Sequence, residues 1–162
     1  MTREILVAIH AGSGIAGLVV GLAVFAPPRG SDGVRFVGRI VYGISLVVLV
    51  VSLLGLIAKD WPGLEIGARI AFSGLAALGG VMLFRIYRAH RLAESRKPGW
   101  KQRYLGHAYF TYISLWVGFA IVPALRSPNP GVWIPVAVVS VLTIGTILFH
   151  RYERRIGLRP SP

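Results

Sequence analysis

Five long apolar runs fill most of this chain, and nothing else in it constrains the fold as tightly. They cover about residues 5–26, 38–58, 66–89, 105–125 and 131–150. Each is long enough to cross a hydrocarbon layer of about 30 Å as a helix rising 1.5 Å per residue. A water-soluble helix shows apolar residues on one face only and so breaks such runs with polar positions. Charged residues make up 15% of this chain, against about 25% in an average soluble domain. The expected fold class is therefore all-α: a single domain over residues 1–162, an integral membrane bundle of five helices.

The connectors agree. Pro27-Pro28-Arg29-Gly30, Trp61-Pro62-Gly63, Lys97-Pro98-Gly99 and Ser127-Pro128-Asn129-Pro130-Gly131 each break a helix, by lost hydrogen bonds and by backbone freedom. The first run lacks the basic leader of a signal peptide and is too long for one, so it is read as retained. With the N-terminus outside, fourteen of the eighteen Lys and Arg residues face the cytoplasm. Arg3, Lys59, Arg69 and Arg126 are the four on the other side. Basic connectors stay in the cytoplasm, so the expected topology is N-terminus outside, C-terminus cytoplasmic, multi-pass, in the cell (plasma) membrane. Aromatic anchors are expected at both boundaries, Trp61 and Trp133 outside and Tyr87, Trp100, Tyr104 and Tyr152 inside. The net charge of +12 then reflects topology rather than nucleic-acid binding. Arg88, Arg96, Lys97, Lys101 and Arg103 are the expected contacts for anionic lipid headgroups.

Several motifs compete with plainer explanations. Gly12-Ser13-Gly14-Ile15-Ala16-Gly17 matches a dinucleotide fingerprint, which works only between a strand and a helix of a βαβ unit. Every later apolar run has membrane-spanning length, so that reading is rejected. His10, Gly14, Gly17 and Gly21 share one helical face instead and suit close helix packing. Ser73, Ala77 and Gly80 form a similar stripe in the third run. Ser13-Gly14-Ile15-Ala16-Gly17-Leu18 also resembles Ser73-Gly74-Leu75-Ala76-Ala77-Leu78, a faint internal repeat.

Intramembrane histidines and hydroxyls are the candidate ligand-binding groups. His10 heads the glycine stripe, and His107, Thr111 and Ser114 line one face of the fourth run. His10 and His107 belong near opposite membrane faces, about 20 Å apart by helical rise, so one heme iron cannot take both. His90, His107 and His150 sit among arginines, which disfavours a metal site. With no cysteine, thiol chemistry is excluded; no carboxylate stands at mid-membrane and no Ser-His-Asp set is apparent, so no catalytic residues are assigned.

His10 with Gly14, Gly17 and Gly21, Gly38-Arg39-Ile40-Val41-Tyr42, Arg85-Ile86-Tyr87-Arg88, Gly106-His107 and Tyr112-Ile113 together resemble an uncharacterised family of small bacterial and archaeal multi-pass membrane proteins. The resemblance implies the architecture and no reaction. Its members often carry a histidine before the arginine leading into the second helix, where this chain has Val34-Arg35.

The leading functional expectation is a non-enzymatic accessory or interaction subunit that packs against other membrane subunits or copies of itself through glycine-rich helix faces. The alternative is a protein binding heme b or another small ligand through His10 or His107. A small transporter or channel stands third.

Overall fold

In hydrocarbon a backbone must satisfy its own N–H and C=O groups, and a helix does so within one segment. The computed structural model describes residues 2–25, 32–95 and 97–157, with side chains 23–25, 32–36 and 125 outside the description. The described residues form five long helices and no strand: α1 (Arg3–Phe25), α2 (Asp32–Asp60), α3 (Ile66–Ser95), α4 (Trp100–Leu125) and α5 (Pro130–Arg155). All five are long and apolar enough to cross a membrane. The Pro27-Pro28-Arg29-Gly30 connector, Arg96 and Arg159 lie outside the described residues.

Most helices outrun their apolar stretches. α2 starts at Asp32 rather than 38, α3 continues to Ser95 rather than 89, α4 starts at Trp100 rather than 105, and α5 reaches Arg155 rather than 150. Backbone bonding does not stop where hydropathy does, so polar and basic turns extend each rod beyond the apolar layer. Arg154 and Arg155 occupy the last turn of α5, where the helix dipole favours positive charge. A single 3₁₀ turn, Trp61–Gly63, joins α2 to α3. Gly99 precedes α4 with φ 74°, a left-handed conformation that favours glycine at this turn.

Successive helices run antiparallel. Arg3 at the start of α1 pairs with Asp60 at the end of α2 at 3.0 Å, Gly79 faces Val50, Arg85 lies over Phe110, and Tyr109 bonds Gly145. The described parts of the two termini therefore lie at opposite ends of the bundle. α1, α2, α3 and α4 pack in a ring, each against its neighbours, while α5 packs on α4. Tyr42 and Leu46 of α2, Met82, Ile86 and Ala89 of α3, and Tyr104, Leu105, Ala108 and Leu115 of α4 form the core. Tyr104, expected at the inner boundary, stands near the start of α4 and packs within this core.

The third helix turns its small-residue stripe outward. Ser73, Ala77 and Gly80 lie off the buried face, and a Cβ on Gly80 would meet nothing within 4 Å. The buried face of α3 carries Gly79, Met82, Ile86 and Ala89, and no residue before Gly79 is buried. Small size alone does not mark a seam. The large residues Met82 and Ile86 fix which side turns inward, and that side is out of phase with the stripe.

Candidate functional site

Along α1 the glycines meet large side chains. A Cβ at Gly14 would lie 3.1 Å from Leu49 and 3.2 Å from Phe119, and one at Gly17 would lie 3.2 Å from Leu115. At Gly21 it would approach Tyr112 to 2.6 Å and Tyr42 to 3.1 Å. Each glycine thus admits a side chain of α2 or α4 at close range: a Cβ at Gly21 would overlap Tyr112, while at Gly14 and Gly17 the facing side chain would have to shift slightly. Gly12 through Gly17 are helical, so the strand–turn–helix of a nucleotide fingerprint is absent there.

His10 tops this stripe and pins α1 to α2. Its Nδ1 is 3.0 Å from the Leu49 carbonyl oxygen, to which it donates. Ser52, buried in α2, donates to the same carbonyl at 2.9 Å and lies 3.4 Å from His10 Nδ1. Interhelical bonds of this kind contribute about 0.6 kcal/mol on average. Sequence alone does not single out Ser52, because its value depends on facing a histidine 42 residues away.

Deeper in, Thr111 and Tyr42 are fully buried and bonded to each other. Thr111 donates to Ala108 O at 2.7 Å, which leaves the Tyr42 hydroxyl as donor to Thr111 Oγ1 at 2.9 Å. Ser114 donates to Phe110 O, and Ser45 to Val41 O, each at 2.9 Å. The hydroxyl stripe of α4 is therefore tied up in helix packing and back-bonding. Nothing in the sequence marks Tyr42 as the partner of Thr111.

His107 does not share the setting of His10. Gly14 of α1 stands level with Phe119 of α4 and the two helices run antiparallel, so His107 lies more than four turns away from His10, about 24 Å by helical rise. His107 Nδ1 is enclosed without a hydrogen-bond partner among the described residues. Arg85, partly buried, lies 4.1 Å from the centre of the Phe110 ring, one turn of α4 from His107. Arg88, Lys97, Lys101 and Arg103 are exposed at this same end of the bundle.

The remaining histidines do not converge. His90 faces Gly43 across the α2–α3 seam. His150 Nδ1 lies 3.4 Å from Oε2 of Glu153, a carboxylate only 2% exposed in the last turn of α5. Sequence gives no sign of this burial, because a lone acidic residue at a helix end reads as solvated. No cluster of three metal-ligating side chains occurs among the described residues.

Two grooves open on the bundle's sides. One, of about 270 Å³, runs between α4 and α5 past Tyr109, Tyr112, Trp116 and Gly145. The other, of about 390 Å³, runs between α2 and α3 past Gly43, Val47, Tyr87 and His90. Both linings are almost wholly apolar.

Comparison with known proteins returns no match, whether with protein-family models, curated proteins or solved structures.

Proposed function

We propose that this chain is a non-enzymatic, multi-pass protein of the cell membrane acting as an interaction subunit, N-terminus outside and C-terminus cytoplasmic. The outward face of α5 carries the proposal. Ser140, Thr143 and Thr146 stand exposed in the middle of this helix, and none forms a hydrogen bond with the described residues. In hydrocarbon an unbonded hydroxyl is costly, whereas across a helix–helix seam it finds a partner. Ser45, Ser52, Thr111 and Ser114 are already engaged, and outside α5 the exposed Ser73 of α3 is a lone mid-span hydroxyl with no such bond among the described residues. Only 6% of the most apolar stretch of α5 is buried, against 39% for α4.

The occupant proposed for this face is the same face of a second copy. An isologous contact repeats each pairing across its two-fold axis, so hydroxyls near the axis can bond to one another in both directions. The glycine stripe of α1 supports the division of labour, since Gly14, Gly17 and Gly21 are already filled from within the bundle.

The chain has no cysteine, so single-cysteine variants report one position each. Oxidation of native membranes is expected to give a disulfide-linked dimer for Ser140→Cys or Thr143→Cys, and none for Ile70→Cys on the exposed start of α3. A wholly monomeric pattern at all three positions would remove α5 as a self-association face. An adduct of other mass at Ser140 would move the proposal to a different membrane subunit.

A further inference from the structure

We propose that Arg85, Arg88 and His107 form a binding site for the phosphate of an anionic membrane lipid, at the edge of the seam where α3 packs on α4. The proposal rests on the membrane-spanning reading and needs neither the interaction role nor the orientation.

The register of the two helices builds the site. α3 and α4 are antiparallel, and Arg85 lies over Phe110 at 4.1 Å. One turn along α3 leads from Arg85 to Arg88, and one turn back along α4 leads from Phe110 to His107. The charges of both arginines act on His107 across the α3–α4 seam. The Phe110 ring steadies the Arg85 guanidinium before any ligand arrives, and Arg88 lies 5.8 Å from the Phe84 ring in the same way. A guanidinium fork matches two phosphate oxygens at once.

The electrostatics favour an anion. Neither arginine has a carboxylate partner among the described residues. His107 Nδ1 is enclosed and unpartnered, and a neutral imidazole carries one N–H that can donate to an anion. A cation would meet two arginines and a donor N–H.

Depth argues for a lipid over a free phosphate. Counted from Ile66, Arg85 follows about 30 Å of helix, one hydrocarbon thickness. It therefore stands where lipid phosphates and glycerol backbones lie. Toward the membrane interior Val81 and Phe84 are exposed and apolar, a wall for acyl chains. General attraction of a basic rim for anionic lipid needs no such arrangement, so the two can be told apart.

The test is native mass spectrometry of the purified chain in mild detergent, titrated with phosphatidylglycerol or phosphatidylcholine. One phosphatidylglycerol is expected to remain bound in preference to phosphatidylcholine. Arg85→Gln with Arg88→Gln is expected to weaken it by about tenfold or more. Arg151→Gln with Arg154→Gln removes the same charge from exposed positions at the same end and is expected to leave it bound. Equal affinity for the two lipids, or equal loss in both double variants, would overturn the site. Displacement by inorganic phosphate as effective as by lipid would overturn the lipid assignment. Should the first double variant not fold, Arg88→Gln alone carries the comparison from an exposed position, and unchanged affinity counts against the site. Carbonate extraction of native membranes separates the two premises: release of the chain overturns the membrane reading, while retention without lipid preference overturns the site alone.

Discussion

Gly21 concentrates the argument at the scale of one residue. An added Cβ would stand 2.6 Å from Tyr112 and 3.1 Å from Tyr42, the latter bonded through its hydroxyl to buried Thr111. The Tyr42 ring is fully buried and has no room to retreat, and the Tyr112 ring could yield only toward the α4–α5 groove, at the cost of its own packing. Gly21→Ala is therefore expected to destabilise the bundle by about 1–3 kcal/mol, as overpacking does. Gly12 lies on the same helix, and a Cβ there would meet nothing within 4 Å. Gly12→Ala is expected to be neutral or stabilising, since alanine exceeds glycine in helix preference by about 1 kcal/mol. Thermal unfolding in detergent reads the contrast, and equal shifts would show that α1 does not dock on this face. Spacing alone makes the stripe of His10, Gly14, Gly17 and Gly21 legible. What fills it is not legible, because Tyr42, Leu49, Tyr112 and Phe119 come from two other helices, and a single sequence holds no record of which faces meet.

At the scale of elements, the five spans follow directly from apolar length, while their rotation about their own axes does not. α3 shows why. Its stripe of Ser73, Ala77 and Gly80 has the spacing of a packing groove but lies off the seam, and the glycine that meets α2 is Gly79, with Val50 3.1 Å from its missing Cβ. Gly79 and Gly80 are neighbours turned about 100° apart on the helix. In lipid, unlike water, a helix gains little from turning its apolar face inward, so hydropathy gives no phase and close packing decides it. Gly79→Leu is expected to push α3 from α2 and lower the unfolding temperature sharply, whereas Gly80→Leu projects outward and is expected to change it little. If Gly80→Leu is the more damaging of the two, α3 is turned differently about its axis, or that face is occupied by another protein. α5 extends the same logic: its seam on α4 is made by Gly145, where a Cβ would come within 2.6 Å of Ile113, and by the Tyr109 hydroxyl donating to the Gly145 carbonyl at 2.6 Å. Its opposite face keeps three hydroxyls for which the described residues supply no partner.

For the whole molecule, five antiparallel helices place the described parts of the termini at opposite ends of the bundle, which would lie on opposite sides of a membrane that all five cross, and the two ends are chemically unequal. Arg3, Lys59, Arg69 and Arg126 belong to one end. That end ties its charges locally: Arg3 to Asp60, and Arg69 to the Leu64 carbonyl at 2.9 Å and over the Trp61 ring. The other end gathers Arg85, Arg88, Arg91, Lys97, Lys101 and Arg103 around the α3–α4 connector and Arg151, Arg154 and Arg155 at the end of α5. Translocating the second set would move far more positive charge across the bilayer than translocating the first. The lipid site proposed between α3 and α4 would then draw its phosphate from the cytoplasmic leaflet, where anionic lipids attract basic segments. Gly63→Cys and Lys97→Cys place one thiol in the exposed connector at each end of α3. A membrane-impermeant maleimide is expected to label Gly63→Cys in intact cells, and Lys97→Cys only after the membrane is opened. The reverse pattern would invert the molecule and move the phosphate site to the outer leaflet. Labelling of both from one side would mean that α3 does not cross the membrane, and the positive-inside argument would fail with it.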